Sequence, residues 1–91
     1  MYQRVKRQVH RTVGVSTTLR ALNRGTVTEV FVARDADRRV INPILTIAKA
    51  QGVKVNWVDC QDALGKACGL PVGTSSVGFL REQQEEDLGD R

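Results

Sequence analysis

Residues 64–77, LGKACGLPVGTSSV, decide how this chain is read. Leu64, Ala67 and Cys68 fall at helical spacing, and Gly69 ends the helix they belong to. Leu70-Pro71-Val72-Gly73 follows as a loop, and Thr74-Ser75-Ser76 turns the chain into a strand. Loops are ordinarily polar. One that carries Leu, Pro and Val either folds inward to close the core or presents an apolar surface to a partner.

Working outward, the strand after this loop is Ser76–Leu80. Beyond it, residues 81–91 are polar, acidic and aromatic-free, and are expected to be a disordered tail. Upstream, Asp59 is placed to cap the helix through residues 63–68. Residues 53–58, VKVNWV, alternate Val53, Val55 and Trp57 against Lys54 and Asn56, which predicts a strand with one wet face or at a sheet edge. Trp57 is assigned to core packing in preference to stacking on a base. Asn42-Pro43 reads as the cap and first position of a helix with Ile44, Leu45, Ile47 and Ala48 on its buried side, closed by Gln51-Gly52. Residues 34–39, RDADRR, form a polar connection whose carboxylates are expected to neutralise the neighbouring arginines. The apolar run Val30-Phe31-Val32 within residues 27–33 predicts a strand buried on both sides.

The second informative stretch is residues 14–25, GVSTTLRALNRG. Gly14 makes a turn, and Ser16 or Thr17 can cap the helix that follows. Leu19, Ala21 and Leu22 make its buried stripe, and Gly25 ends it. Ser16, Arg20 and Arg24 recur at i, i+4 and i+8 on another face. Free N–H groups, hydroxyls and guanidinium groups on one helix suit phosphate and base edges. Ahead of Gly14, residues 10–14 read as a short extended piece. Tyr2, Val5 and Val9 predict an amphipathic helix over residues 2–9 laid on the sheet. The alternation of helices and strands predicts an α/β sandwich with helices on both faces of one sheet.

The 91 residues suffice for one small domain, with a core built from aliphatic side chains because only four are aromatic. The net charge of +4 is uneven. Residues 1–80 hold 12 Lys/Arg against 5 Asp/Glu, whereas the tail holds 2 against 5. A globular part at +7 points to an anionic partner. No run approaches the roughly 20 apolar residues needed to span a bilayer, and no signal region follows the basic N-terminus, so a cytoplasmic protein with no membrane partner is expected. Cys60 and Cys68 lie eight apart, without metal or redox spacing, and are read as small buried hydrophobes. His10, the sole histidine, has no carboxylate or cysteine close to it in the sequence and is read as structural. There is no dinucleotide fingerprint, no Walker lysine and no nucleophile elbow, so no catalytic residue, metal site or cofactor is expected.

With these residues in hand, residues 3–80 resemble the kink-turn-binding ribosomal protein superfamily of the L7Ae and L30e type, and most closely its small bacterial branch. The resemblance rests on Gly14, Thr18, Arg20-Ala21-Leu22 and Arg24-Gly25, then on Val30-Phe31-Val32-Ala33 with Asp35-Ala36-Asp37. Residues 64–72, LGKACGLPV, are its most specific part. It implies a three-layer α/β/α sandwich on a four-stranded mixed sheet, formed by residues 1–80. It also implies binding to kink-turn RNA, a helix bent sharply at a bulge flanked by sheared G·A pairs. By this resemblance Ser16, Thr17 and Arg20 read the G·A pairs, Leu70, Pro71 and Val72 cradle the bulge, and Lys66 approaches phosphate. Gly14 and Gly73 of the two glycine-bearing turns and Arg24 of the arginine face complete the expected RNA-binding set. The chain departs from the family at Ser16-Thr17, where relatives typically carry Asn-Glu or pairs such as Lys-Gln. Two short hydroxyls offer neither carboxylate nor amide to guanine. The expected function is thus a monomeric, non-catalytic RNA-binding protein, ribosomal or ribosome-associated. The alternative is a protein-interaction module that uses the same apolar loop and basic face.

Overall fold

A computed structural model describes residues 10–81; the helix expected over residues 2–9 and the acidic tail beyond Arg81 lie outside the described residues. Four strands, β1 (Arg11–Val13), β2 (Val27–Ala33), β3 (Lys54–Val58) and β4 (Ser76–Leu80), form one mixed sheet in the order β1-β4-β2-β3. β4 runs antiparallel to both β1 and β2, and β2 runs parallel to β3. The helices are α1 (Val15–Arg24), α2 (Arg38–Gln51) and α3 (Gln61–Ala67). The α/β reading and the four-stranded mixed sheet therefore hold.

Two helices pack side by side on one face. Leu22 of α1, Ile41, Ile44 and Ala48 of α2, and Val30 and Val32 of β2 are fully buried. They form one aliphatic cluster with Val27, Leu64 and Val77. Opposite faces of a strand alternate, so Phe31, flanked by Val30 and Val32, points to the other side. There its ring meets that of Phe79, 5.1 Å away and tilted by 45°. α3 covers part of this second face.

Three helix starts differ from expectation. α1 begins behind Gly14 (φ 96°), a backbone that a side chain strains, and neither Ser16 nor Thr17 caps it. α2 begins four residues before Asn42: Asp37 accepts from the Arg39 amide at 2.8 Å, and Pro43 lies inside the helix. The earlier start brings Ile41 into the same buried stripe as Ile44 and Ala48, which outweighs the backbone bond lost at Pro43. α3 is capped by Cys60 instead of Asp59, its Sγ accepting from the Ala63 amide at 3.4 Å. Asp35 adds an acceptor for the Gln61 amide at 2.9 Å. The carboxylates of residues 34–39 thus cap helices, and among the described residues only Asp37 pairs with an arginine, Arg39, at 3.7 Å.

β3 is an edge strand, as expected, but its faces are not. Trp57 is 37% exposed, while Asn56 is half-buried and donates to the Val30 carbonyl and to Glu29 Oε1, both at 3.1 Å. Cys60 and Cys68 are free thiols and only half-buried.

Candidate nucleic-acid interface

The two stretches singled out in the sequence meet at one end of the sheet. β1 leads directly into Gly14 and α1, and β4 emerges directly from the loop after α3. Val13 pairs with Val77, and the Gly14 amide donates to the Ser76 carbonyl at 2.9 Å. On the second face, Arg11 reaches from β1 and donates to the Cys68 carbonyl at the end of α3, 2.8 Å away. That contact ties the foot of loop 70–73 to the strand that feeds α1. No sequence signal marks Arg11 for this role.

Among the described residues no side chain caps the N-terminus of α1. Its first intrahelical bond runs from the Thr18 amide to the Gly14 carbonyl. The amides of Val15, Ser16 and Thr17 precede any such acceptor. Ser16 and Thr17 are exposed beside them, and Arg20 is exposed one turn further on. At 1.5 Å per residue, Arg20 stands about 6 Å along the axis from Ser16, and Arg24 about 12 Å. Arg24 therefore shares the stripe but sits at the far end of the helix. There it also suits the negative end of the helix dipole.

A buried hydroxyl pair, which the sequence reading passed over, sets the tilt of α1. Thr18 and Thr12 are buried, with their Oγ1 atoms 2.9 Å apart, and the Gly78 amide donates to Thr12 Oγ1 at 3.2 Å. A Cβ on Gly78 would stand 2.9 Å from that oxygen, so glycine lets helix and sheet approach here. The available signal was Thr18 lying in helical phase with Ala21 and Leu22.

Loop 70–73 is clamped onto α3. The Leu70 amide donates to the Gly65 carbonyl at 2.9 Å, and the Thr74 amide to the Gln61 carbonyl at 3.2 Å. A Cβ on Gly65 would collide with the Val72 carbonyl oxygen; one on Gly73 would lie 3.0 Å from the Gln61 carbonyl. Leu70 is half-buried, Pro71 is exposed and Val72 is 68% exposed. So Leu70 turns partly inward, while Pro71 and Val72 face solvent from a backbone that is hydrogen-bonded beneath them. Lys66 is exposed in the last turn of α3. Among the described residues no group of three His, Cys, Asp or Glu side chains could hold a metal, and no helix is long and apolar enough to cross a membrane.

Known proteins resemble this chain in sequence and fold. The profile of the ribosomal protein L7Ae/L30e/S12e/Gadd45 family matches residues 2–89. The chain is 40% identical to RNA-binding protein YbxF of Geobacillus stearothermophilus, over 88% of this chain and 98% of that one. It is 37% identical to RNA-binding protein BH0128 of Halalkalibacterium halodurans, with the same coverage. The large ribosomal subunit protein eL8 of Halobacterium salinarum is 33% identical over 81% of this chain and 62% of its own length. The solved structure of the 15.5kD RNA binding protein of Giardia lamblia superposes with a TM-score of 0.75 at 24% identity, covering 87% of this chain and 67% of that one. The fold and these matches agree: the chain belongs to the ribosomal protein L7Ae/L30e/S12e/Gadd45 family.

Proposed function

We propose that this protein is a non-catalytic RNA-binding protein that grips kinked RNA between the N-terminus of α1 and the loop after α3. One observation carries the reading: an uncapped helix N-terminus lies hydrogen-bonded to the same strand that emerges from an exposed apolar loop. Relatives at 37–40% identity bear the name RNA-binding protein, which supports the ligand class.

The division of labour follows from chemistry. The amides of Val15, Ser16 and Thr17, with two hydroxyls, donate to phosphate or to base acceptors in an opened groove. Arg20, one turn along, offers two parallel N–H groups to a guanine edge or a phosphate. Pro71 and Val72 give an apolar seat to a base displaced from the stack, and Gly14, Leu70 and Gly73 shape the floor. Lys66 and Arg24 neutralise phosphates on either side. The kin in the large ribosomal subunit favours ribosomal RNA as partner and the cytoplasm as place of action.

The test is a titration into a labelled kink-turn RNA, beside the same RNA with its G·A pairs replaced by Watson–Crick pairs, at about 150 mM salt. A preference of tenfold or more for the intact motif is expected. Equal binding to both at 10⁻⁴–10⁻⁶ M, the range of non-specific electrostatic association, refutes kink recognition. No binding to either RNA would leave the apolar loop to a protein partner.

A further inference from the structure

A basic aromatic cluster lies beside this interface and is not used by it. Trp57, on the edge strand β3, keeps 37% of its surface exposed. The guanidinium carbons of Arg34 and Arg38 lie 5.9 and 5.4 Å from its ring centre, within cation–π range. Both arginines are exposed. The nearby carboxylates are engaged elsewhere, Asp35 on the Gln61 amide and Asp37 on the Arg39 amide and side chain. Among the described residues, neither Arg34 nor Arg38 has a carboxylate within ion-pair distance.

The sheet register places this cluster level with the α1 N-terminus. Gly14 bonds to Ser76, Ser76 pairs with Val32, and Val32 pairs with Trp57. Three strand spacings separate Gly14 from Trp57, about 14 Å. That is roughly four stacked nucleotides at 3.4 Å each. A strand leaving the kinked element along the ends of β4, β2 and β3 therefore reaches the ring.

We propose that Trp57, flanked by Arg34 and Arg38, is a second RNA contact that stacks an unpaired base of the strand flanking the kinked element. This inference rests on the RNA-binding reading above. Chemistry favours a single strand: every base has a π-face for the indole, guanidinium groups meet its phosphates, and duplex bases are already stacked. The contact adds affinity and reach without sequence choice.

The experiment uses the chain's single tryptophan as its reporter. The full-length protein is titrated with a blunt kink-turn RNA and with the same RNA carrying six unpaired nucleotides at its 5′ or 3′ end. One tailed RNA is expected to quench Trp57 and to bind about five- to hundredfold tighter than the blunt form, the range for one stacked base. Trp57→Ala should lose that gain and keep blunt-RNA affinity, which requires a folded protein and so controls for misfolding. Trp57→Phe should keep part of the gain, and Arg34→Ala with Arg38→Ala should reduce it. Equal binding of blunt and tailed RNA by the wild type overturns the platform and leaves the primary interface standing. An undiminished gain in Trp57→Ala also overturns it. Failure of blunt RNA to bind while the tailed RNA quenches Trp57 overturns kink recognition instead, and silence with every RNA overturns both.

Discussion

Replacing Gly65 by alanine tests whether α3 dictates the position of the apolar loop. A Cβ there collides with the Val72 carbonyl oxygen and stands 2.9 Å from Gly73 Cα. Carbon atoms rest at about 3.5–4.0 Å, so residues 72–73 must retreat by about 0.5–1 Å. The bonds from Leu70 to Gly65 and from Thr74 to Gln61, at 2.9 and 3.2 Å, would then exceed hydrogen-bond length. Overpacking costs about 1–3 kcal/mol, and each lost bond about 0.5–1.5 kcal/mol. Alanine returns about 1 kcal/mol as the better helix former. The net loss is about 1–5 kcal/mol, read by thermal unfolding as roughly 4–8 °C for each kcal/mol in a domain of this size. A displaced Pro71–Val72 surface loses a base contact, so affinity for kinked RNA falls about tenfold. The salt dependence should stay unchanged, because no phosphate contact is removed. A variant that melts higher than wild type and binds RNA equally well would refute the claim that close helix–loop contact positions the site.

Two further comparisons separate the roles of neighbouring residues. Thr18→Val removes the buried bond to Thr12 and should cost about 1–2 kcal/mol in urea unfolding. Ser76→Ala should be neutral or slightly stabilising, because the Ser76 hydroxyl is buried without a partner among the described residues. Arg20→Ala should weaken RNA binding by about 1–3 kcal/mol, as expected for a bidentate contact. Arg24→Ala, about 12 Å from the helix start, should cost only a few-fold while lowering the salt slope by about 0.9. Equal losses at both arginines would place the RNA along the whole helix, not at its end.

The fold was legible where burial speaks through periodicity. The run Val30–Val32 marked a strand covered on both sides and the alternation of residues 53–58 a strand with one wet face or at a sheet edge; β2 lies inside the sheet and β3 at its edge. What failed was the choice of cap. Asp59, Ser16 and Asn42 are all good caps in isolation, but the burial of Ile41 and the register of β1 against β4 fix where each helix must begin. Tertiary packing sets the phase, and the cap falls to whichever residue stands there, Cys60 or Gly14 included. Trp57 was misassigned for a related reason: alternation orders two faces but does not say that an edge strand's outer half lacks cover.

The candidate site was legible as chemistry and illegible as mechanics. Hydroxyls, arginines and an apolar loop carry signals of their own, so Ser16, Thr17, Arg20 and residues 70–73 could be named from sequence. The residues that bring them together have ordinary identities: Arg11 on the Cys68 carbonyl, Thr12 against Thr18, Gly65 under Val72. Each acts across a gap in sequence that no local pattern encodes; Arg11 and Cys68 are 57 positions apart. This division bears on specificity. Among the described residues neither Ser16 nor Thr17 caps the helix N-terminus, so neither occupies its leading amides, whereas a true cap would consume one. Short hydroxyls read bases poorly, but they let phosphate approach those amides closely. On the proposed function, recognition leans on backbone geometry, and hence on the close contacts made by Gly65, Thr18 and Arg11, more than on side chains that read base identity.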